Sequence, residues 1–109
     1  MAIHYDAIVI GTGQAGPSLA VRLAESGRKT AIIERHLFGG TCVNVGCIPT
    51  KTLIASARAA HVARTGAVHG VMIDGDLRID MQRVKARKDA IVRESTQGVA
   101  NWLRGTPNL

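Results

Sequence analysis

Hydrophobic positions change their period along this chain, and each change marks an element. Residues 5–10, Tyr-Asp-Ala-Ile-Val-Ile, form a short β-branched run suited to a strand buried on both faces. Beyond the glycine-rich stretch at 11–16 the period becomes helical. Leu19 and Leu23 recur with Ala15, Ala20 and Ala24, and Gly27 stands where a helix end takes a left-handed residue. Residues 30–34, Thr-Ala-Ile-Ile-Glu, read as a second buried strand. Residues 50–65 are helical up to Gly66, with Leu53, Ala57 and Ala60 on one stripe whose small side chains permit close packing. The stretch 66–77, with Gly66, Gly70 and Gly75, reads as a loop. Asp80 is placed to cap a last helix whose apolar face carries Met81, Val84, Ile91, Val92, Val99, Trp102 and Leu103. Arg83, Lys85, Arg87 and Lys88 fall largely on its other side. The pattern predicts an α/β chain: a β-α-β unit with parallel strands, followed by two long antiparallel helices.

Composition narrows the class. The 109 residues suffice for one domain, and 46% apolar against 20% charged residues is a globular balance. With 3% aromatics, a core must be built from Ala, Val, Ile and Leu. No apolar run reaches the length of a membrane span, and the N-terminus lacks the basic and apolar segments of a secretory signal. The expectation is therefore a cytoplasmic protein, where a disulfide is more often catalytic or redox-sensing than structural. The net charge of +6 raises a nucleic-acid reading, its basic excess lying between Arg78 and Arg104. No stacking aromatics or recognition motif accompany it, so the charge reads as a solvated helix face and no nucleic-acid partner is expected. Trp102 reads as a packing or interface residue.

The glycine-rich stretch carries chemistry. Gly11, Gly13 and Gly16 have G-x-G-x-x-G spacing directly between the first strand and the first helix, and Glu34 ends the next strand. In a dinucleotide site the first glycine permits the tight turn, the second admits a pyrophosphate to the backbone, and the third lets helix and strand approach. Free N–H groups at the helix start then hold phosphate oxygens. Thr12, Gln14 and Ala15 between the glycines, and Arg35 beside Glu34, complete the expected binding surface. A carboxylate at Glu34 accepts bonds from ribose hydroxyls and repels a 2′-phosphate, favouring FAD or NAD over NADP here.

Residues 39–51 read GGTCVNVGCIPTK and hold the chain's two cysteines, Cys42 and Cys47. In a regular helix, residues five apart have Cα atoms ~8.7 Å from each other. A disulfide needs ~4.4–6.8 Å, so bonding between them requires a looped or distorted segment, which Gly46 eases. Pro49 suits the first turn of a helix, which puts Cys47 at or just before a helix N-terminus, where a thiolate is favoured. On the residues alone two inert buried thiols, or a small thiol-exchange or nucleotide-binding module without flavin, remain open readings. A metal site is not expected, since His4, His36, His61 and His69 lie scattered without ligand spacing.

The thirteen-residue thiol motif, following GTGQAG and Glu34, closely resembles that of the class I pyridine nucleotide-disulfide oxidoreductases, which include dihydrolipoamide dehydrogenase, glutathione reductase and mercuric reductase. The resemblance covers residues 5 to about 105. The Gly-Gln-Ala-Gly-Pro wording, with Pro17 at the helix start, is most similar to mercuric reductase-like enzymes. The resemblance implies a Rossmann-like FAD-binding domain, of which residues 1–109 would be the N-terminal portion. It implies FAD held by Gly11, Gly13, Gly16 and Glu34, with Gly40 and Thr41 also lining the flavin site. Cys42 would be the exposed thiol that attacks substrate, Cys47 the thiol against the flavin, and Lys51 would stabilise charge developing on the flavin ring. The two thiols would close reversibly into a disulfide. NAD(P)H as donor would bind outside these residues, since a second glycine fingerprint is absent. The substrate would be a disulfide, a dithiol or Hg(II), and the intact protein a homodimer. Members of the family are several times longer, which makes an N-terminal fragment, inactive alone, the expected status of this chain.

Overall fold

The computed structural model describes all 109 residues. Strand β1 (Ala7–Ile10) leads through the glycine loop into helix α1 (Gly16–Glu25), and strand β2 (Thr30–Ile33) returns beside β1. The two strands pair in parallel, Ala7 opposite Thr30 and Ile10 opposite Ile33. The β-α-β expectation is met, with each strand shorter than its apolar run. Tyr5 and Asp6 precede β1, where the Asp6 carboxylate accepts from the Lys29 backbone N–H at 2.8 Å and fixes the entry to β2. At the end of α1, Gly27 takes φ +87°, the Gly27 N–H donates to the Ala24 carbonyl, and the Arg28 N–H donates to that of Leu23. This is the paired C-terminal closure that the sequence position of Gly27 predicts.

Helix α2 (Gly40–Asn44), helix α3 (Cys47–Thr65) and helix α4 (Met81–Arg104) follow, with a short 3-10 turn over Gly66–His69. Asp80 caps α4 as expected, its carboxylate accepting from the Arg83 N–H at 3.0 Å. Helices α3 and α4 run antiparallel. Arg87, early in α4, donates to the Thr52 carbonyl and Ser56 hydroxyl, whereas Thr96, further along, reaches back to Asn44 before α3. The pair projects from the sheet, giving extents of 71 × 25 × 18 Å and a radius of gyration of 20.5 Å. A compact chain of this length has about 13 Å. No helix is long and apolar enough to cross a membrane.

Three expectations need correction. The strands are not buried on both faces: Ile8, Ile10 and Ile33 are exposed because no layer covers their side of the sheet. The buried side of α3 is Thr52 with Ser56, Ala60 and Ala63 half-buried, while Leu53 and Ala57 face outward. The stripe is rotated because Arg87 and α4 meet the polar edge of α3. Of the basic residues of α4, Arg83, Lys85 and Arg87 are exposed as expected and Lys88 is half-buried, with Lys85 and Lys88 both paired to Asp89. The expected apolar face of α4 is buried at its C-terminal end, at Ala100 and Leu103, while Met81 is exposed.

The junction of these elements is held by Thr12, which is buried. Its backbone N–H and its hydroxyl both donate to Glu34 Oε2, at 3.0 and 2.6 Å, and the hydroxyl accepts from the Gly39 N–H at 3.1 Å. Glu34 Oε1 accepts from the His36 N–H at 2.9 Å. These bonds favour the charged carboxylate, the Thr12 hydroxyl most, and lower the Glu34 pKa to about 2 from an ordinary 4.5. A depressed carboxylate stabilises the fold fully above its unfolded value and loses that contribution as pH falls through the folded one. Between pH 4.5 and pH 2 the urea midpoint of the native chain should therefore fall more steeply than that of a Glu34→Gln variant. Parallel pH profiles for the two proteins would refute this role.

Candidate functional site

The glycine loop is shaped by close approach. A Cβ on Gly16 would lie 2.1 Å from the Gly11 carbonyl oxygen, so α1 meets the end of β1 only with glycine there. A Cβ on Gly13 would meet nothing within 4 Å, which leaves room over the loop for a phosphate group. Helix α1 has Ala15 at its N-cap, Pro17 in its first turn and no side-chain cap, so no side chain takes up its first-turn donors. Gly40, the first residue of α2, abuts the loop: a Cβ there would sit 2.8 Å from the Gly13 Cα. The geometry fits a dinucleotide pyrophosphate. Gln14 is exposed on the same loop.

Two clefts lie in this region, one between the end of β2 and α2 and one on the glycine loop itself. One, of about 260 Å³, is lined by Glu34, Arg35, His36, Gly40, Thr41 and Asn44 among others. It joins four of the expected binding residues, Glu34, Arg35, Gly40 and Thr41. His36, which reads from sequence as a surface or packing residue, and Asn44 are additions. The signal for His36 was its position beside Glu34; Asn44 lay inside the thiol motif but carries no chemistry of its own. The other cleft, of about 180 Å³, is bordered by Thr12, Gly13, Gln14, Gly39 and Trp102. Trp102 is 46% exposed, at the rim rather than in the core. Glu34 already accepts three hydrogen bonds, two of them on Oε2, which leaves acceptor capacity on Oε1.

The segment 39–51 is two helices broken at Val45 and Gly46, which is how it departs from a regular helix. A Cβ on Gly46 would lie 3.0 Å from the Thr41 carbonyl oxygen and 3.2 Å from the Cys42 Cα. Glycine there lets the chain double back so that Cys47, the first residue of α3, faces Cys42 in α2. Both thiols are free. The Cys42 pKa is raised, first because its S–H donates to the Cys47 sulfur, then by burial and by the Cys47 charge. The Cys47 backbone N–H and the Lys51 ammonium, one turn further along α3, offset part of that rise. The order of exposure differs from the one the resemblance implies. Cys42 is half-buried and Cys47 exposed, because α2 leans on α3 and α4 while nothing in these residues covers the first turn of α3.

Comparison with known proteins places this arrangement. The profile of the pyridine nucleotide-disulphide oxidoreductases matches residues 5–106. A dihydrolipoyl dehydrogenase of Acholeplasma laidlawii is 36% identical over 104 residues, covering 95% of this chain and 31% of that protein. The corresponding enzyme of Thermus scotoductus is 41% identical over 101 residues, covering 93% of this chain and 22% of that protein. Among solved structures, the Cu(II) complex of the HOCl-induced flavoprotein disulfide reductase RclA from Escherichia coli superposes with a TM-score of 0.77 at 35% identity. That match covers 98% of this chain and 21% of the RclA chain. The chain thus spans a third or less of the relatives it matches. With the glycine loop, the Glu34 junction and the paired thiols in one frame, the chain belongs to the pyridine nucleotide-disulphide oxidoreductase family.

Proposed function

We propose that these residues form the FAD cradle and the redox-active thiol pair of an NAD(P)H-dependent flavoprotein disulfide reductase. The observation that carries the proposal is the contact of Gly40 with Gly13, which seats the helix bearing Cys42 directly on the glycine loop. FAD, when bound, relays two electrons between NAD(P)H and the thiols. The N-terminus of α1 and Gly13 hold the pyrophosphate, and Glu34 receives the ribose. Its charge, retained above a pKa of about 2, disfavours a 2′-phosphate.

The thiols act in sequence on a disulfide substrate. Cys42 attacks one sulfur as thiolate, forming a mixed disulfide and releasing the first thiolate. Cys47 then attacks the Cys42 sulfur, releasing the second thiolate and leaving the Cys42–Cys47 disulfide. Each released thiolate takes up one proton. The Lys51 ammonium beside the pair favours the anionic sulfur during both attacks. A dithiol substrate runs the same exchange in reverse, and Hg(II) would engage the same two sulfurs. NAD(P)H binds outside these residues, and the intact protein acts in the cytoplasm as a homodimer.

Two measurements test this reading. Trp102 is the sole tryptophan and stands at the rim of the glycine-loop cleft, so absorption-corrected fluorescence should fall on titration with FAD but not with NADP+. Gly13→Val should weaken that binding by more than about tenfold, the scale of losing charge-assisted bonds to a phosphate. Equal quenching by NADP+, or none with FAD, would overturn the cofactor assignment. The second measurement is alkylation of the reduced chain, followed by peptide mass mapping. Without FAD, Cys47 should react before Cys42, and with FAD bound the order should invert. An order indifferent to FAD would mean that neither thiol meets the cofactor.

A further inference from the structure

Helix α2 has five residues, and its N-cap, Gly39, offers no side chain. A helix this short does not hold itself, because nucleation costs more than its few backbone bonds return. Yet it carries Cys42, whose distance from Cys47 decides whether a disulfide closes. Something outside the helix must fix it, and the contacts converge on Asn44. Its amide Nδ2 donates to the Phe38 and Gly40 carbonyls, both at 2.9 Å, tying the end of α2 to the chain that enters it. With both amide hydrogens used there, Oδ1 is turned to α4 and accepts from the Thr96 hydroxyl at 2.9 Å. The two residues are 52 apart in sequence, and both are half-buried.

The same α4 also holds the helix of the other thiol. Arg87 donates to the Thr52 carbonyl at 3.1 Å and to the Ser56 hydroxyl at 3.3 Å, in the first turns of α3. Each cysteine is thus referred to α4 by one polar contact, Cys42 through Asn44–Thr96 and Cys47 through Thr52–Arg87. We infer that Asn44 and Thr96 are positioning residues that set the Cys42–Cys47 approach and thereby the equilibrium of the disulfide. The inference rests on the proposed thiol chemistry and goes beyond it, since it makes a residue on a distant helix govern how readily the pair oxidises.

The test is equilibration of the full 109-residue chain in dithiothreitol redox buffers, with the oxidised fraction read by thiol trapping and mass. In that exchange the two protein thiols give two electrons and two protons to oxidised dithiothreitol, which is opened to its dithiol. Thr96→Val removes the donor and keeps the branched shape, and should lower the oxidation constant about three- to tenfold, the scale of one side-chain hydrogen bond. Thr96→Ser keeps the hydroxyl and should stay at the native value. Thr65→Val removes a comparable hydroxyl bond at the far end of α3, to the His61 carbonyl, and should not move the constant. Should Thr96→Val lose helix by circular dichroism, Thr96→Ala and Asn44→Ala replace it. A folded variant without the Asn44–Thr96 bond that keeps the native constant overturns the inference, as does an equal shift in Thr65→Val. Absence of any intramolecular disulfide in the native chain would instead overturn the proposed thiol chemistry itself.

Discussion

One hydroxyl holds the site together. Thr12 Oγ1 donates to Glu34 and accepts from Gly39, while its own backbone N–H takes a second bond to the same carboxylate oxygen. Three segments meet there: the loop after β1, the end of β2 and the approach to α2. Few side chains in this chain are buried, and among those nearly sealed from solvent the largest are two threonines, Thr12 and Thr30. Apolar packing is therefore too thin at this end to define the loop geometry, and directional bonds take over. A carboxylate that accepts three hydrogen bonds stays charged, and a charge fixed in that way orients whatever donors approach next.

From that junction the order spreads outward through α2 to the thiols. Gly40 sits against Gly13, Cys42 follows two residues later, and Gly46 turns the chain so that Cys47 starts the next helix. Glycine loop and thiol pair are thus joined by one close backbone contact, Gly40 on Gly13, from which the chain runs directly through Cys42 to Cys47. The long helix α4 backs this stretch along its whole length. Its N-terminal half contacts α3 through Arg87, its middle contacts Asn44 through Thr96, and its C-terminal end places Arg104 5.5 Å from the Phe38 ring. At 24 residues α4 is about 36 Å long, so one helix serves several loop positions at once.

Much of this was legible locally. The glycine spacing between a strand and a helix, Gly27 past a helix end and Asp80 before one are signals whose causes lie within a few residues, and all three formed as read. Helix α2 was not legible, because five residues display no period and its stability comes from bonds to partners distant in sequence, Thr96 on its Asn44 and Thr12 on the preceding Gly39. Which side of α3 turns inward was lost for a related reason: Arg87 selects the Thr52 and Ser56 edge, although Leu53 and Ala57 look the better core face by hydrophobicity. The exposure of Ile8, Ile10 and Ile33 reflects what covers a sheet, a property that lies outside the strand's own sequence. For the thiols, spacing disclosed the pair but not which sulfur faces solvent, since that depends on how α2 leans.

The sheet has only two strands, so each has an outer edge of unpaired backbone groups. On β2 that edge is engaged at one point, where the Thr30 N–H donates to the Asn108 carbonyl at 2.9 Å. Beside it lies a groove of about 280 Å³ walled by Tyr5, Ala31, Ile32, Phe38 and Leu103. Open edges with apolar, β-branched strands behind them template further pairing, whether with a strand of the same protein or with a neighbouring molecule. In the crowded conditions of synthesis, such an edge beside an apolar groove is a place where misassembly into aggregates can begin.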